Sequence, residues 1–179
     1  DLHSFPTRRS SDLWQSFAGT PVLTGALSDT GHADAAYRLL LETSCPSWLY
    51  AITMGATTTW ERWDSMLPDG SINPGGMTSF NHYALGAVAA WLERAVGGLA
   101  PAEPGYRLIE VAPVPGGGLS SAESVHRTPY GWAASAWRLD GGGRLELDVV
   151  VPVGARARVR LPGSAAPVEL GHGRHHLVG

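Results

Sequence analysis

FNHYALGAVAAWLERAVGG, residues 80–98, and RLELDVVV, residues 144–151, place two different periodicities in one chain. In the first, Ala84, Leu85, Val88, Trp91, Leu92 and Ala95 recur every three or four residues, which makes one side of a helix apolar. Ser79 or Asn81 can cap that helix and Gly97-Gly98 can end it, so the spacing predicts a helix over about 80–96. In the second, Leu145, Leu147 and Val149 alternate with Arg144, Glu146 and Asp148, the period of a half-buried strand. A helical layer followed by strands predicts an α+β chain of two domains.

Upstream of Phe80 the pattern stays helical. ADAAYRLLLET, residues 33–43, sets Ala36, Tyr37, Leu40 and Leu41 on one face. PSWLYAITM, residues 46–54, reads as a second short helix, with Pro46 suited to its first turn and Gly55 to its end. Residues 56–74 are irregular, and a loop of that length inside a compact domain is usually functional. Downstream, residues 101–104 read as a linker. Strand-like runs follow at 106–111, 121–127, 132–140, 144–153 and 155–161, with Asp140-Gly141-Gly142-Gly143 as a hairpin turn. Short strands at that spacing predict a small antiparallel β-sandwich. The expected organisation is a helical domain over 14–100 and a β-domain over 105–179. Residues 1–13 have no helical or strand periodicity and read as a non-native or disordered leader.

Composition narrows the function. The chain has 179 residues, 44% of them apolar and 16% charged, at a net charge of −3, so neither a nucleic-acid footprint nor a polybasic membrane patch is expected. No apolar run approaches the ~18 residues of a membrane span. All 13 basic side chains are arginine, which reads as coding bias. A single cysteine, Cys45, excludes an internal disulfide and reads as a small apolar filler. Seven tryptophans stand out, four of them (Trp48, Trp60, Trp63 and Trp91) close together. Indoles suit the flat C–H faces of sugars and also fill cores, and both readings stay open.

The chemistry concentrates in GATTTWERWD, residues 55–64. Glu61 lies between Trp60 and Trp63, where an apolar wall can hold a sugar ring beside a partly desolvated carboxylate. The competing reading is a structural ion pair, with Arg62 as a candidate partner. Asp64 suits either a second polar contact or a turn. DGSINPGGM, residues 69–77, reads as a lid with hinge glycines. Beyond it, Asn81 and His82 fall at the expected helix N-terminus, where N–H groups and an imidazole can donate to ligand oxygens. A core or capping histidine is the alternative for His82. His172, His175 and His176 read as a solvated strand or tail, because a metal site needs converging ligands. Arg156, Arg158 and Arg160 alternate as the outer face of a strand. No metal and no cofactor is expected.

The stretch GATTTWERWDSMLPDGSINPGGMTSFNHYALGAVAAWL, residues 55–92, closely resembles the C-terminal signature of bacterial alpha-L-rhamnosidases, which are inverting glycoside hydrolases. CPSWLYAITM before it and APAEPGYRLIEVAPVPGGGLSSAESVHRTPYG after it match the family in order and spacing, so the resemblance runs from about Trp14 to Leu161. It implies the C-terminal part of a six-fold α/α barrel followed by a β-domain, acting on a rhamnose-containing glycoside or polysaccharide. It implies Glu61 as general base and His82 in contact with rhamnose, with Trp60 and Trp63 lining the pocket; Asp64 and Asn81 are further candidate sugar-binding residues on the reading of the residues alone. In the family the general acid lies in an acidic motif far upstream. Nothing before Trp14 matches that motif, so this polypeptide alone is expected to be inactive. A non-catalytic carbohydrate-binding or scaffolding module is the alternative, and a barrel enzyme for a different sugar is a third.

Overall fold

Three helices open the described part of the chain: α1 (Thr20–Asp29), α2 (Ala33–Leu41) and α3 (Trp48–Thr53). The computed structural model describes residues 19–179, so the expected leader 1–13 and Trp14 lie outside it. Of the expected apolar face of α2, Ala36 and Tyr37 are buried and Leu40 is half-buried, whereas Leu41 is exposed. α3 starts two residues after Pro46, because the Ser47 hydroxyl caps it by accepting from the Tyr50 N–H at 3.0 Å.

The helix expected over about 80–96 begins later. It opens as a 3₁₀ turn at Leu85–Ala87, continues as α4 (Val88–Trp91) and ends in a π-helical turn at Leu92–Val96. The backbone before it is committed elsewhere: Glu61 N–H donates to Ser79 O at 2.8 Å and His82 N–H to Thr59 O at 2.9 Å. Asn81 and His82 therefore sit in a short antiparallel pairing with residues 59–61, and not at a helix N-terminus.

The chain divides into two compact units at Ala89/Ala90. In the first, Trp48, Trp63 and Leu85 form a buried cluster with Leu39, Leu40 and Val88 against it. The Trp48 ring meets that of Trp63 edge-on at 4.7 Å and donates its N–H to Leu85 O at 2.8 Å.

The second unit holds eight strands: β1 (Leu99–Pro101), β2 (Leu108–Val111), β3 (Ser121–Thr128), β4 (Gly131–Leu139), β5 (Leu145–Val151), β6 (Arg156–Val159), β7 (Val168–Leu170) and β8 (Gly173–Val178). They make two four-stranded sheets, in the orders β1-β2-β6-β7 and β3-β4-β5-β8. All neighbours pair antiparallel except β2 and β6, which run parallel. Alternation in β5 sends Leu145, Leu147, Val149 and Val151 into a core shared with Val111, Trp137 and Val159. The Asp140 carboxylate closes the β4–β5 hairpin by accepting from the Gly142 and Arg144 N–H groups. β1 lies just before the segment read as a linker and overlaps it only at Pro101, and β8 occupies the segment read as strand or tail. In β8, His176 Nδ1 lies 2.8 Å from an Asp148 oxygen across the sheet. The β6 arginines face outward as expected: Arg160 pairs with Glu110, and Arg156 and Arg158 reach Glu169.

Candidate functional site

Two irregular segments, 58–61 and 79–82, carry the candidate groups. Besides the two backbone bonds already described, the Thr59 hydroxyl donates to His82 O at 2.8 Å and the Thr58 hydroxyl to Phe80 O. Trp60 is buried, edge-on to Phe80 at 5.2 Å and to Tyr50 at 6.5 Å.

The Glu61 side chain is 15% exposed. Its Oε2 accepts from the Ser79 N–H at 3.0 Å, and its Oε1 lies 4.0 Å from His82 Nε2. His82 Nδ1 accepts from the Ala84 N–H at 3.2 Å. The neutral imidazole must then carry its proton on Nε2, the nitrogen nearer Glu61. A gap of 4.0 Å is too wide for a direct hydrogen bond. It does allow one oxygen to lie about 2.8 Å from both groups. The Tyr83 ring stacks on that of His82 at 5.3 Å and is 85% exposed.

The other expected residues are placed differently. Trp63 is buried against Trp48, so neither indole of the Trp-Glu-Arg-Trp run is an open face. Asp64 has both oxygens engaged: Oδ1 accepts from Arg62 Nε at 2.9 Å, and Oδ2 accepts from Arg62 Nη2 at 3.2 Å and from Asn73 Nδ2 at 2.8 Å. Arg62 therefore pairs with Asp64, and the anticipated Glu61–Arg62 ion pair is not formed. Asn81 is exposed and joins the site through its backbone, with its N–H and C=O both on the Ser79 hydroxyl at 3.2 Å. The 69–77 segment, expected as a lid with hinge glycines, is fastened at Asn73 and Gly76. Asn73 N–H donates to Ser65 O at 3.0 Å, and Arg62 Nη1 donates to Gly76 O at 3.2 Å. Cys45, expected as a core filler, is exposed.

Sequence reasoning missed Ser79, whose N–H holds the carboxylate, and Tyr83, which backs the imidazole. No local signal marks the first, because a backbone donor has no residue signature. An aromatic beside His82 was visible but uninformative without its exposure. Among the described residues no three His, Cys, Asp or Glu side chains converge as metal ligands, and no helix is long and apolar enough to cross a membrane.

A helical layer bearing a held carboxylate beside an imidazole, followed by a β-sandwich, fits the glycosidase class of helical barrels. Residues 7–96 match a family model described as the bacterial alpha-L-rhamnosidase 6 hairpin glycosidase domain, and residues 98–176 match the bacterial alpha-L-rhamnosidase C-terminal domain. The chain belongs to the bacterial alpha-L-rhamnosidase family.

Among its relatives, alpha-L-rhamnosidases of Formosa agariphila and Streptomyces avermitilis are each 44% identical over 146 residues, 82% of this chain. The chain spans 16% and 14% of their respective lengths. Solved structures agree. That of an Aspergillus terreus alpha-L-rhamnosidase matches with a TM-score of 0.88 and 54% identity over 91% of this chain and 19% of the other. The Streptomyces avermitilis enzyme complexed with L-rhamnose matches with a TM-score of 0.85 and 38% identity over 92% and 18%.

Proposed function

We propose that this chain supplies the general base of a rhamnoside hydrolase that inverts configuration at the anomeric carbon. The observation that carries the reading is the Glu61 carboxylate, held by the Ser79 N–H through one oxygen while the other faces His82 Nε2 across 4.0 Å. An inverting hydrolase needs a carboxylate to deprotonate a water and a second carboxyl group to protonate the leaving oxygen, about 6.5–9.5 Å apart. Glu61 Oε1 takes the water's proton as the oxygen attacks the anomeric carbon, on the face opposite the aglycone. His82, with its proton on Nε2, donates to a sugar hydroxyl or to that water and orients it. Tyr83 and Asn81 lie at the exposed rim and contribute contacts to the bound sugar. Trp60 and Trp63 act from behind, as a packed wall beside the two segments.

Residues 14–100 are assigned to the closing part of the barrel and 105–179 to the C-terminal β-domain. The protonating acid is not assigned to this chain. Glu42 accepts from Thr43 and Ser44, Asp69 from Ser71, and Asp64 from Arg62 and Asn73, so each of these carboxylates is engaged locally. On this reading the 179-residue polypeptide alone does not turn over rhamnosides.

Proton NMR of an aryl α-L-rhamnoside mixed with the full-length gene product tests the stereochemistry. The β-anomer of L-rhamnose should appear first, and the α-anomer only later by mutarotation. An α-anomer first would reject inversion, and sugar binding with no turnover would favour the non-catalytic module.

A further inference from the structure

We propose that Arg62, Asp64 and Asn73 form a positioning knot that sets the Glu61 carboxylate for its reaction, and that Asp64 acts there and not on the sugar. The inference rests on the assignment of Glu61 as base. The Glu61 carboxylate takes its one hydrogen bond from the Ser79 N–H, at the far end of the 65–79 loop. Whatever fixes that loop therefore fixes the carboxylate.

The loop is fastened at its near and middle parts to the residues just after Glu61. Arg62 grips Asp64 through two parallel N–H groups, a geometry that is directional as well as attractive. Its third arm, Nη1, reaches over to Gly76 O at 3.2 Å. Asn73 meets Asp64 with its side-chain amide and Ser65 O with its backbone N–H. Ser65 is fully buried, and its hydroxyl lies 3.2 Å from both the N–H and the C=O of Arg62. The Arg62 side chain is only 14% exposed, so the pair is partly shielded from water.

Gly75 shows how close the fit is. A Cβ there would stand 2.7 Å from Arg62 Nη1 and 3.1 Å from Asn73 Oδ1. The guanidinium cannot simply swing aside, because two of its other donors are held by Asp64. A side chain at position 75 would thus press directly on the knot.

The test uses the full-length gene product with an aryl α-L-rhamnoside, and compares Asp64→Asn with Gly75→Ala. Each is made in the native background and with Glu61→Gln, and thermal melting checks that each folds. A displacement of about 1 Å at a reacting group costs up to about 100-fold in rate, so each single variant should lose about 10- to 100-fold in kcat. KM and the Kd for L-rhamnose should stay within about threefold, because sugar contacts are untouched. With Glu61 already Gln, neither variant should lower the residual kcat further.

Three results would overturn the proposal. Asp64→Asn could raise KM and weaken L-rhamnose while Gly75→Ala does neither, which would make Asp64 a sugar ligand. An equal further loss in the Glu61→Gln background would mean general damage and not action through the base. Native turnover in Glu61→Gln alone would remove the base assignment itself, a failure distinct from the first two.

Discussion

Glu61 differs from its neighbouring carboxylates in how little it is given. Glu42 accepts from two backbone N–H groups and a hydroxyl, and Ser44 above all holds its carboxyl below the usual range. Asp69 is held low in the same way by Ser71. Both are turn anchors, spent as acceptors. Glu61 accepts once, which leaves Oε1 available to a water. The residues marked it as a candidate, since a carboxylate between indoles is an unusual setting. Its partners were not, because Ser79 and His82 reach it through a pairing 18 and 21 residues distant in the chain. At the same scale, Tyr37 is buried and its phenol is pushed up to about 12 by desolvation. The unfolded chain ionises that phenol near 10, so between roughly pH 10 and 12 the unfolded state binds fewer protons and stability falls. Urea midpoints measured from pH 9 to 12 should drop in that window, and Tyr37→Phe should flatten the slope.

Among the elements, the π-helical turn and β1 are joined by two glycines with separate reasons. A Cβ on Gly97 would come within 2.5 Å of Ser124 Cβ in β3. Gly98 has φ +78 and its Cβ would meet the backbone N of Pro113 at 2.6 Å. Nearby, the Trp137 N–H donates to Val96 O and the Val114 N–H to Ala95 O. Overpacking a fitted contact costs about 1–3 kcal/mol. Gly97→Ala should therefore lower the chemical-denaturation stability of the β-unit by that order, while Gly141→Ala, in open space in the hairpin turn, should be near neutral. Local pattern found α2, α3 and the central strands within a few residues, because periodicity and turn chemistry there agree with burial. It set the last helix five residues too early. The apolar spacing from Ala84 onward is real, but residues 79–82 give their backbone bonds to 58–61, and such non-local pairing leaves no periodic trace. β1 was hidden for a related reason: three residues ending in proline carry too little pattern, and pairing with β2 alone makes them a strand.

For the molecule as a whole, the two cores differ in depth. The β-unit buries a continuous cluster from both sheets, whereas the described helical unit relies on a few large aromatics locked by edge contacts and by the Trp48 indole hydrogen bond. That difference explains why Trp60 and Trp63, read as possible sugar platforms, are buried: they are among the largest apolar groups available to that unit. The family was legible because the 55–92 run combines the carboxylate, the loop and the imidazole in one continuous stretch, independent of any boundary. The chain spans about a sixth or less of its curated relatives, so the proposed activity is to be measured on full-length protein. The direct measurement is kcat for an aryl α-L-rhamnoside with native and Glu61→Gln full-length protein, alongside L-rhamnose binding by calorimetry. Loss of a general base costs about 10²–10⁴-fold, so turnover should fall by that order while L-rhamnose still binds. Native-like turnover in Glu61→Gln would contradict the account.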